Sequence, residues 1–175
     1  MGATGKARAL AGLRITMGLL FLYAGIEKLI GIGLEAGSSW SAFGFLKFAT
    51  AGSWPGAADG AVINPFQSLW VSLAANPDAM HFINFIVPWG ELGIGIALTL
   101  GLFTRFASLM GALMMALFYV ASWDFSLGVI NSDLIYLAVL AYFGIAGAGE
   151  VYGLDKQVEE TEVVKHTPQL RYVLG

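Results

Sequence analysis

Four long apolar stretches alternate with polar or broken segments along the chain. They cover residues 13–34, 83–103, 106–123 and 134–148. A helix needs about 20 apolar residues to cross the roughly 30 Å hydrocarbon core of a bilayer, and each stretch approaches that length. Only Thr104 and Arg105 separate the second stretch from the third, so these two are predicted to form a tight helical hairpin. The fourth stretch can extend back to Asn131. The pattern therefore predicts an all-α membrane protein, a bundle of four transmembrane helices.

The connection between the first two stretches, about residues 35–82, is long and rich in Trp and Phe. Within it, residues 39–50 and 64–75 have mixed apolar and polar faces, and prolines interrupt the segment. Aromatic, amphipathic helices favour the membrane interface. We therefore predict a partly helical cap at the outer interface, between transmembrane helices 1 and 2, that buries several of its Trp and Phe side chains.

Composition and charge placement agree with a membrane protein. Hydrophobic residues make up 57% of the chain and charged residues only 12%, which lies outside the range of ordinary soluble domains. Of the nine Lys and Arg residues, only Lys28 and Lys47 fall on the outer side of this layout. The positive-inside rule predicts cytoplasmic N- and C-termini in a multi-pass protein of the cell membrane. We expect the membrane domain to cover residues 1–155, with a polar cytoplasmic tail over 156–175. The net charge of −3 gives no indication of a nucleic-acid partner.

The residue types also limit the cofactors that this chain can bind. It has no cysteine, which excludes disulfides, Cys-X-X-Cys redox pairs, thiolate zinc sites and cysteine-ligated iron–sulfur clusters. Its two histidines, His81 and His166, lack the helical spacing of a haem or metal pair. We therefore expect no haem, metal or iron–sulfur cluster, and any redox role needs a borrowed group.

Two sets of charged, glycine and large apolar residues share a spacing of four, three, four and three residues, which places each set on one helical face. One set lies in the first apolar stretch, and the other runs from the second stretch to Arg105. The sets are Arg14, Gly18, Phe21, Gly25 and Lys28, and Glu91, Gly95, Leu98, Leu102 and Arg105. Because successive helices run antiparallel, Lys28 and Glu91 should lie close together at the outer end, about one helix diameter apart by backbone. Arg14 and Arg105 should share the inner end, where we interpret them as topology anchors beside the cytoplasmic headgroups.

Ionised side chains are costly inside a bilayer, so those in the apolar stretches should pair, face the bundle interior or reach the interface. Two interpretations of Lys28 and Glu91 remain open: a salt bridge that fixes the helix register, and part of a polar pocket for a small ligand. Histidine titrates near neutral pH, which makes His81 a candidate proton carrier. The candidate catalytic residues are Glu91, Lys28, Asp133 and His81, and the candidate quinone-pocket residues are Trp89, Tyr23 and Glu27.

Several motifs resemble the DoxX/DoxD family of membrane proteins, and the resemblance extends over all four predicted helices. They are Arg14-x3-Gly18-x2-Phe21-x2-Ala24-Gly25-x2-Lys28-Leu29, Gly90-Glu91-Leu92, Gly101-Leu102-Phe103-Thr104-Arg105, Gly147-Ala148-Gly149 and Gly153-Leu154-Asp155. The aromatic outer insertion, with Asn64-Pro65-Phe66, is more similar to the DoxD-like branch than to the shortest members of the family.

The resemblance implies a membrane subunit linked to respiratory or sulfur redox metabolism. In the DoxD branch it implies thiosulfate:quinone oxidoreductase activity, with quinone as a diffusible co-substrate and a separately encoded second small subunit. Lys28 and Lys47 could then supply positive charge for the thiosulfate dianion. The alternative is a non-catalytic accessory or assembly subunit of a respiratory membrane complex. Under either function, the expected partners are the lipid bilayer and other membrane subunits or further copies of the chain.

Overall fold

The computed structural model describes residues 2–31, 39–48, 64–123 and 129–174. Within these ranges the regular structure is helical, without β-strands, so the predicted all-α class is confirmed. The helices are α1 (Ala3–Ile30), α2 (Phe43–Phe48), α3 (Gln67–Ala75), α4 (Pro77–Leu100), α5 (Thr104–Ala121), α6 (Ser132–Ala146), α7 (Asp155–Glu159) and α8 (Glu162–His166), followed by a 3₁₀ helix (Pro168–Tyr172).

Three of these helices, α1, α4 and α5, are long and apolar enough to cross a membrane. The apolar helix α6 is shorter, at 15 residues, because both of its ends are capped. The Asn131 side chain accepts a hydrogen bond from the Leu134 amide at the start, and Gly147 adopts a left-handed conformation at the end, with φ 60°. The predicted hairpin between α4 and α5 is confirmed, with a left-handed Gly101 ending α4 and α5 starting at Thr104.

Helices α1 and α4 pack antiparallel with their backbones in close contact. A Cβ atom added to Gly18 would lie 2.6 Å from the Thr99 amide nitrogen, and one added to Gly95 would lie 2.4 Å from the Leu22 amide nitrogen. A larger side chain at either glycine would therefore push the helices apart. This packing confirms that the two predicted faces meet as far as the end of α4. Leu102 and Arg105 were wrongly assigned to the same helix, because α4 ends at Leu100 and Arg105 lies on α5.

Helices α2 and α3 pack against the start of α4, as predicted for the segment between the first two long helices. Their contact is a small apolar core of Ala42, Leu46, Ala74 and Met80, against which Trp40 and Trp70 are partly buried. The prediction of buried phenylalanines is wrong for Phe43, Phe45 and Phe66, which are exposed at 42%, 37% and 43%. The core is too small to cover them, because alanines form half of it. Residues 49–63, which include the predicted cap residue Trp54, lie outside the described ranges.

Arg14 is fully buried, so its interpretation as a headgroup anchor is wrong. Its guanidinium donates hydrogen bonds to four backbone carbonyls, those of Leu98, Ala148, Val151 and Tyr152. These carbonyls lie near the end of α4 and just after α6, where helix ends leave acceptors without intrahelical partners. A cation is also favourable there because it opposes the negative end of each helix dipole. Arg14 thus joins three elements at what we call the Arg14 end of the bundle.

Asp155, also fully buried, completes this end of the bundle. Its two carboxylate oxygens accept hydrogen bonds from the backbone amides of Phe103 (2.6 Å) and Thr104 (3.0 Å), at the start of α5. It therefore caps a helix 51 residues away in sequence. The tail beyond Asp155 folds back on the bundle: Val164 and Leu174 are fully buried, and the Phe106 amide donates to the Val173 carbonyl at 3.2 Å.

Candidate functional site

Lys28 and Glu91 form an ion pair between α1 and α4, at the opposite end of the bundle, which we call the Lys28 end. The Lys28 Nζ atom lies 2.9 Å from Glu91 Oε2 and 3.0 Å from Glu91 Oε1. The Glu91 side chain is only 4% exposed, whereas that of Lys28 is 19% exposed. The predicted proximity of these two residues is confirmed. A nearly buried carboxylate therefore holds an ammonium group that is still partly accessible.

Trp40 covers the ammonium from the segment before α2. The Lys28 Nζ atom lies 5.6 Å from the centroid of the Trp40 ring, a distance typical of a cation–π contact. Asn84 of α4 positions this segment, since its Oδ1 atom accepts a hydrogen bond of 2.9 Å from the Ala42 amide. One polar side chain on α4 thus fixes the segment that places the indole over Lys28.

A cavity of about 280 Å³ opens beside this ammonium. It is lined by Lys28, Trp40, Ala42, Phe45, Leu46, Ile83, Val87, Phe118 and Asp133, from five helices and the segment before α2. Small-molecule sites usually measure about 300–1,000 Å³. The cavity therefore has room for a single ring with small substituents, rather than for a large cofactor.

Asp133 supplies a carboxyl group to the same cavity from the first turn of α6. The Ser122 hydroxyl donates a hydrogen bond of 3.1 Å to Asp133 Oδ2, and the Asn131 amide group donates to Ser122 Oγ at 3.4 Å. Because a helix N-terminus favours a carboxylate, the position suits Asp133. The hydrogen bonds orient the carboxyl group from Ser122, just after α5, and Asn131, just before α6.

The remaining candidates from the sequence are not brought into the cavity. Tyr23 is 59% exposed and Trp89 is 50% exposed, and Trp89 packs beside Phe85 with ring centroids 6.2 Å apart. Glu27 is partly exposed and His81 is exposed. Among the described side chains that line the cavity, none belongs to these four candidates. The roles predicted for them remain predictions.

Glu91 and Lys47 also lie outside the cavity wall. The Glu91 carboxylate contacts the Lys28 ammonium, which itself lines the cavity. Lys47 is exposed on α2, with its Nζ atom 5.2 Å from the centroid of the Phe43 ring. Of the two basic residues predicted for the outer side, only Lys28 is therefore a cavity residue.

The aromatic walls of the cavity are what the sequence reasoning missed. Trp40, Phe45 and Phe118 lie on three different elements, and their spacing along the chain carries no common period. Asn84 gave a weak signal, because a lone amide within a long apolar helix usually has a partner. The sequence pattern could not show that this partner is the Ala42 amide.

Asn64 holds the start of the α3 segment against the end of α5. It is 2% exposed, and its side-chain amide donates to the carbonyls of Val120 (2.9 Å) and Ala121 (2.7 Å). Its Oδ1 atom accepts from the Phe66 amide at 2.8 Å. The Asn-Pro-Phe motif of the insertion therefore has a structural explanation as a connection to α5.

The long apolar helices define an integral, multi-pass helical membrane protein, and a ring-sized cavity lies at one end of its bundle. A family model described as DoxX matches residues 9–123, which is more than half of the 175 residues. The chain belongs to the DoxX family. The match runs from α1 to the end of α5, so it includes Lys28 and Glu91 and stops before Asp133. Neither the curated proteins nor the solved structures gave a match.

Proposed function

We propose that this chain is a quinone-reactive membrane subunit of the DoxD-like, thiosulfate:quinone oxidoreductase branch, and that the cavity at the Lys28 end binds the quinone ring. One observation carries the proposal: an ammonium group and a carboxyl group both line a ring-sized cavity whose other walls are apolar or aromatic. Ligand sites commonly combine apolar walls with a few polar groups that fix orientation. A quinone ring, flat and apolar with two carbonyl oxygens, suits these walls.

The chain's residues have distinct tasks in this proposal. Lys28 donates a hydrogen bond to a carbonyl oxygen and stabilises the negative charge that develops there during reduction. Asp133 provides a proton-transfer group, since conversion of a quinone to a quinol takes up two electrons and two protons. Glu91 is a positioning residue that holds the Lys28 ammonium. Trp40 and Phe118 contact the faces or edges of the ring.

The reducing donor is thiosulfate or another reduced sulfur compound in this proposal. A dianion is attracted to the partly exposed Lys28 ammonium, and Lys47 adds a second positive charge outside the cavity. A partner subunit would complete the binding site for this sulfur donor. Quinone is thus a diffusible co-substrate rather than a resident cofactor.

We expect Asp133→Asn to lower quinone reduction by about 100-fold or more, the usual scale for loss of general acid–base catalysis. Asparagine keeps the size of the side chain and an oxygen that can accept from Ser122, so folding should be preserved. The measurement is thiosulfate-dependent reduction of decylbenzoquinone by membranes that contain the chain and its partner subunits. Asp78→Asn is the matched control, because Asp78 is an exposed carboxylate at the start of α4, outside the cavity. Equal rates for the two variants would refute the role of Asp133.

A non-catalytic accessory subunit remains the second candidate function. It is favoured by the ion pair itself, because both Glu91 oxygens lie within 3.0 Å of Lys28 Nζ and join α1 to α4. Absence of quinone reduction by the wild-type chain, alone and with its membrane partners, would support this second function.

We also propose that α6 is the fourth membrane span and that both termini lie in the cytoplasm. The hydrogen bonds from Arg14 to Ala148 and Val151 support the proposal, because they bring the N-terminal half of α1 to the residues just after α6. If both termini lie on the same side, the chain crosses the membrane an even number of times. A fluorescent reporter that folds only in the cytoplasm should be active when fused to either terminus, whereas a reporter active only outside should be silent. The reverse pattern at the C-terminus would overturn the topology.

A further inference from the structure

A second concavity follows the seam between α4 and α5 and is larger than the cavity at the Lys28 end. It measures about 620 Å³, and every side chain that lines it is apolar. Phe103 and Phe106 lie at its Arg14 end, and Phe82 and Ile86 at its Lys28 end. We call it the α4/α5 groove. A polar ligand is not expected to bind in this groove, because the lining side chains offer no hydrogen-bond partner.

The groove adjoins the polar cavity. Val87 and Phe118 line both of them, so these two side chains form the boundary between the apolar space and the chamber with Lys28 and Asp133. Phe118 also meets Phe45 edge-to-face, with ring centroids 6.2 Å apart. A ligand with a polar ring and a long apolar tail could therefore occupy both spaces at once across the Phe118 boundary.

The dimensions of the groove suit a hydrocarbon chain. The groove-lining positions of α5 run from residue 106 to residue 118, and at about 1.5 Å per residue they span about 18 Å. This is more than half the thickness of the hydrocarbon core. An extended tail that starts at Phe118 would thus reach deep into the bilayer while remaining against the protein.

We propose that the α4/α5 groove binds the isoprenoid tail of the quinone whose ring occupies the cavity, and that the ligand enters sideways from the bilayer past Phe118. The proposal rests on the proposed function, because it takes the cavity as the ring site. Charge complementarity supports this occupant over a helix of another protein: among the described residues that line the groove and the cavity, the ionisable ones, Lys28 and Asp133, lie on the cavity side of Phe118, where the polar ring of such an amphiphile would be. A tail in the groove also replaces lipid contacts along the seam, so its binding requires no polar group to be desolvated.

Gly93 offers a direct test, because it lines the groove and a Cβ atom added there would meet nothing within 4 Å. Gly93→Phe would therefore direct an aromatic ring from this open position into the groove. Gly12→Phe is the matched control: Gly12 is also a glycine in a membrane-spanning helix with open space around it, and it does not line the groove. Both proteins would be checked for a single, monodisperse species in nanodiscs, and Gly93→Leu would replace a Gly93→Phe variant that fails this check.

The measurement is equilibrium binding of two probes with the same ring, one a long-tailed isoprenoid benzoquinone and the other its tail-less form. We expect Gly93→Phe to raise the Kd of the long-tailed probe at least 10-fold and to leave the Kd of the tail-less probe unchanged. Gly12→Phe should change neither. Unchanged binding of both probes by Gly93→Phe, or an equal loss of both, would overturn the tail site while the ring site stands, and the groove would then hold annular lipid only. Failure of the wild-type chain to bind either probe would overturn the proposed function and the tail site together.

Discussion

Replacement of Arg14 by methionine is expected to lower the free energy of unfolding by about 3–5 kcal/mol or more, the scale seen when one partner of a buried charged interaction is removed. The substitution leaves the carbonyls of Leu98, Ala148, Val151 and Tyr152 without their donor. It also removes the cation that interacts electrostatically with the buried Asp155. Since the total stability of a domain is only about 5–15 kcal/mol, this loss is a large fraction of it, and the yield of folded protein should fall.

The test compares Arg14→Met with two other variants. Arg8→Met is the matched control, because Arg8 is an exposed arginine on the same helix, and such a surface change usually costs about 0.5 kcal/mol or less. Arg14→Lys keeps the charge but loses the guanidinium fork that reaches several carbonyls at once, so it should fall between the two. The measurement is the midpoint of chemical unfolding in detergent micelles, together with the yield of monodisperse protein. Equal stability of Arg14→Met and Arg8→Met would contradict the role of Arg14.

Replacement of Lys28 alone is expected to lower the free energy of unfolding nearly as much as replacement of Arg14. Replacement of both members of the ion pair should lower it much less. Lys28→Met leaves the Glu91 carboxylate, 4% exposed, without its counter-ion, which should cost about 3–5 kcal/mol. The double variant with Lys28→Met and Glu91→Leu should recover most of this loss, because apolar packing often replaces a buried ion pair. Unfolding midpoints of the two single variants and the double variant give the coupling between the residues.

The pair formed by Lys165 and Glu162 on α8 is a matched control. Its atoms are 2.8 Å apart, yet its side chains are 54% and 73% exposed, so its removal should cost about 1 kcal/mol or less. A Lys28→Met variant with wild-type stability would contradict the energetic role of the buried pair.

The folded double variant also separates the two candidate functions. If Lys28 belongs to a ring site, quinone reduction or binding should be lost; if the pair only fixes the helix register, the activity of the associated complex should persist.

Most of the motifs that carried the resemblance to the DoxX family meet at the Arg14 end, away from the cavity. A Cβ atom added to Gly149 would lie 1.8 Å from Asp155 Oδ2, and one added to Gly153 would lie 2.2 Å from the Gly149 carbonyl oxygen. Gly101 is needed there as well, with its positive φ of 66°. These glycines allow the close packing that buries Arg14 and Asp155. They therefore explain the packing at this end of the bundle and say little about chemistry in the cavity.

The sequence alone determined the features that depend on local pattern. The length of each apolar stretch predicted the long helices, and the steps of three and four residues predicted that Lys28 and Glu91 would meet. The reason is that helical geometry fixes which residues share a face, and a short hairpin or an antiparallel arrangement fixes their relative depth. The cost of an unpaired ion in a bilayer then favoured the pairing of these two residues.

Only the tertiary structure decided which polar side chains were buried and what formed the cavity. The sequence pattern predicts Arg14 at the membrane edge. In the structure it is a buried hydrogen-bond donor, because helix ends 84 and 134 residues away in the sequence supply its acceptors. The cavity likewise depends on Trp40, Phe118 and Asp133 arriving from separate elements. Their approach is set by helix rotation, by the Asn84 hydrogen bond and by the close glycine packing of α1 on α4. These are contacts between distant parts of the chain, which no local period in the sequence can encode.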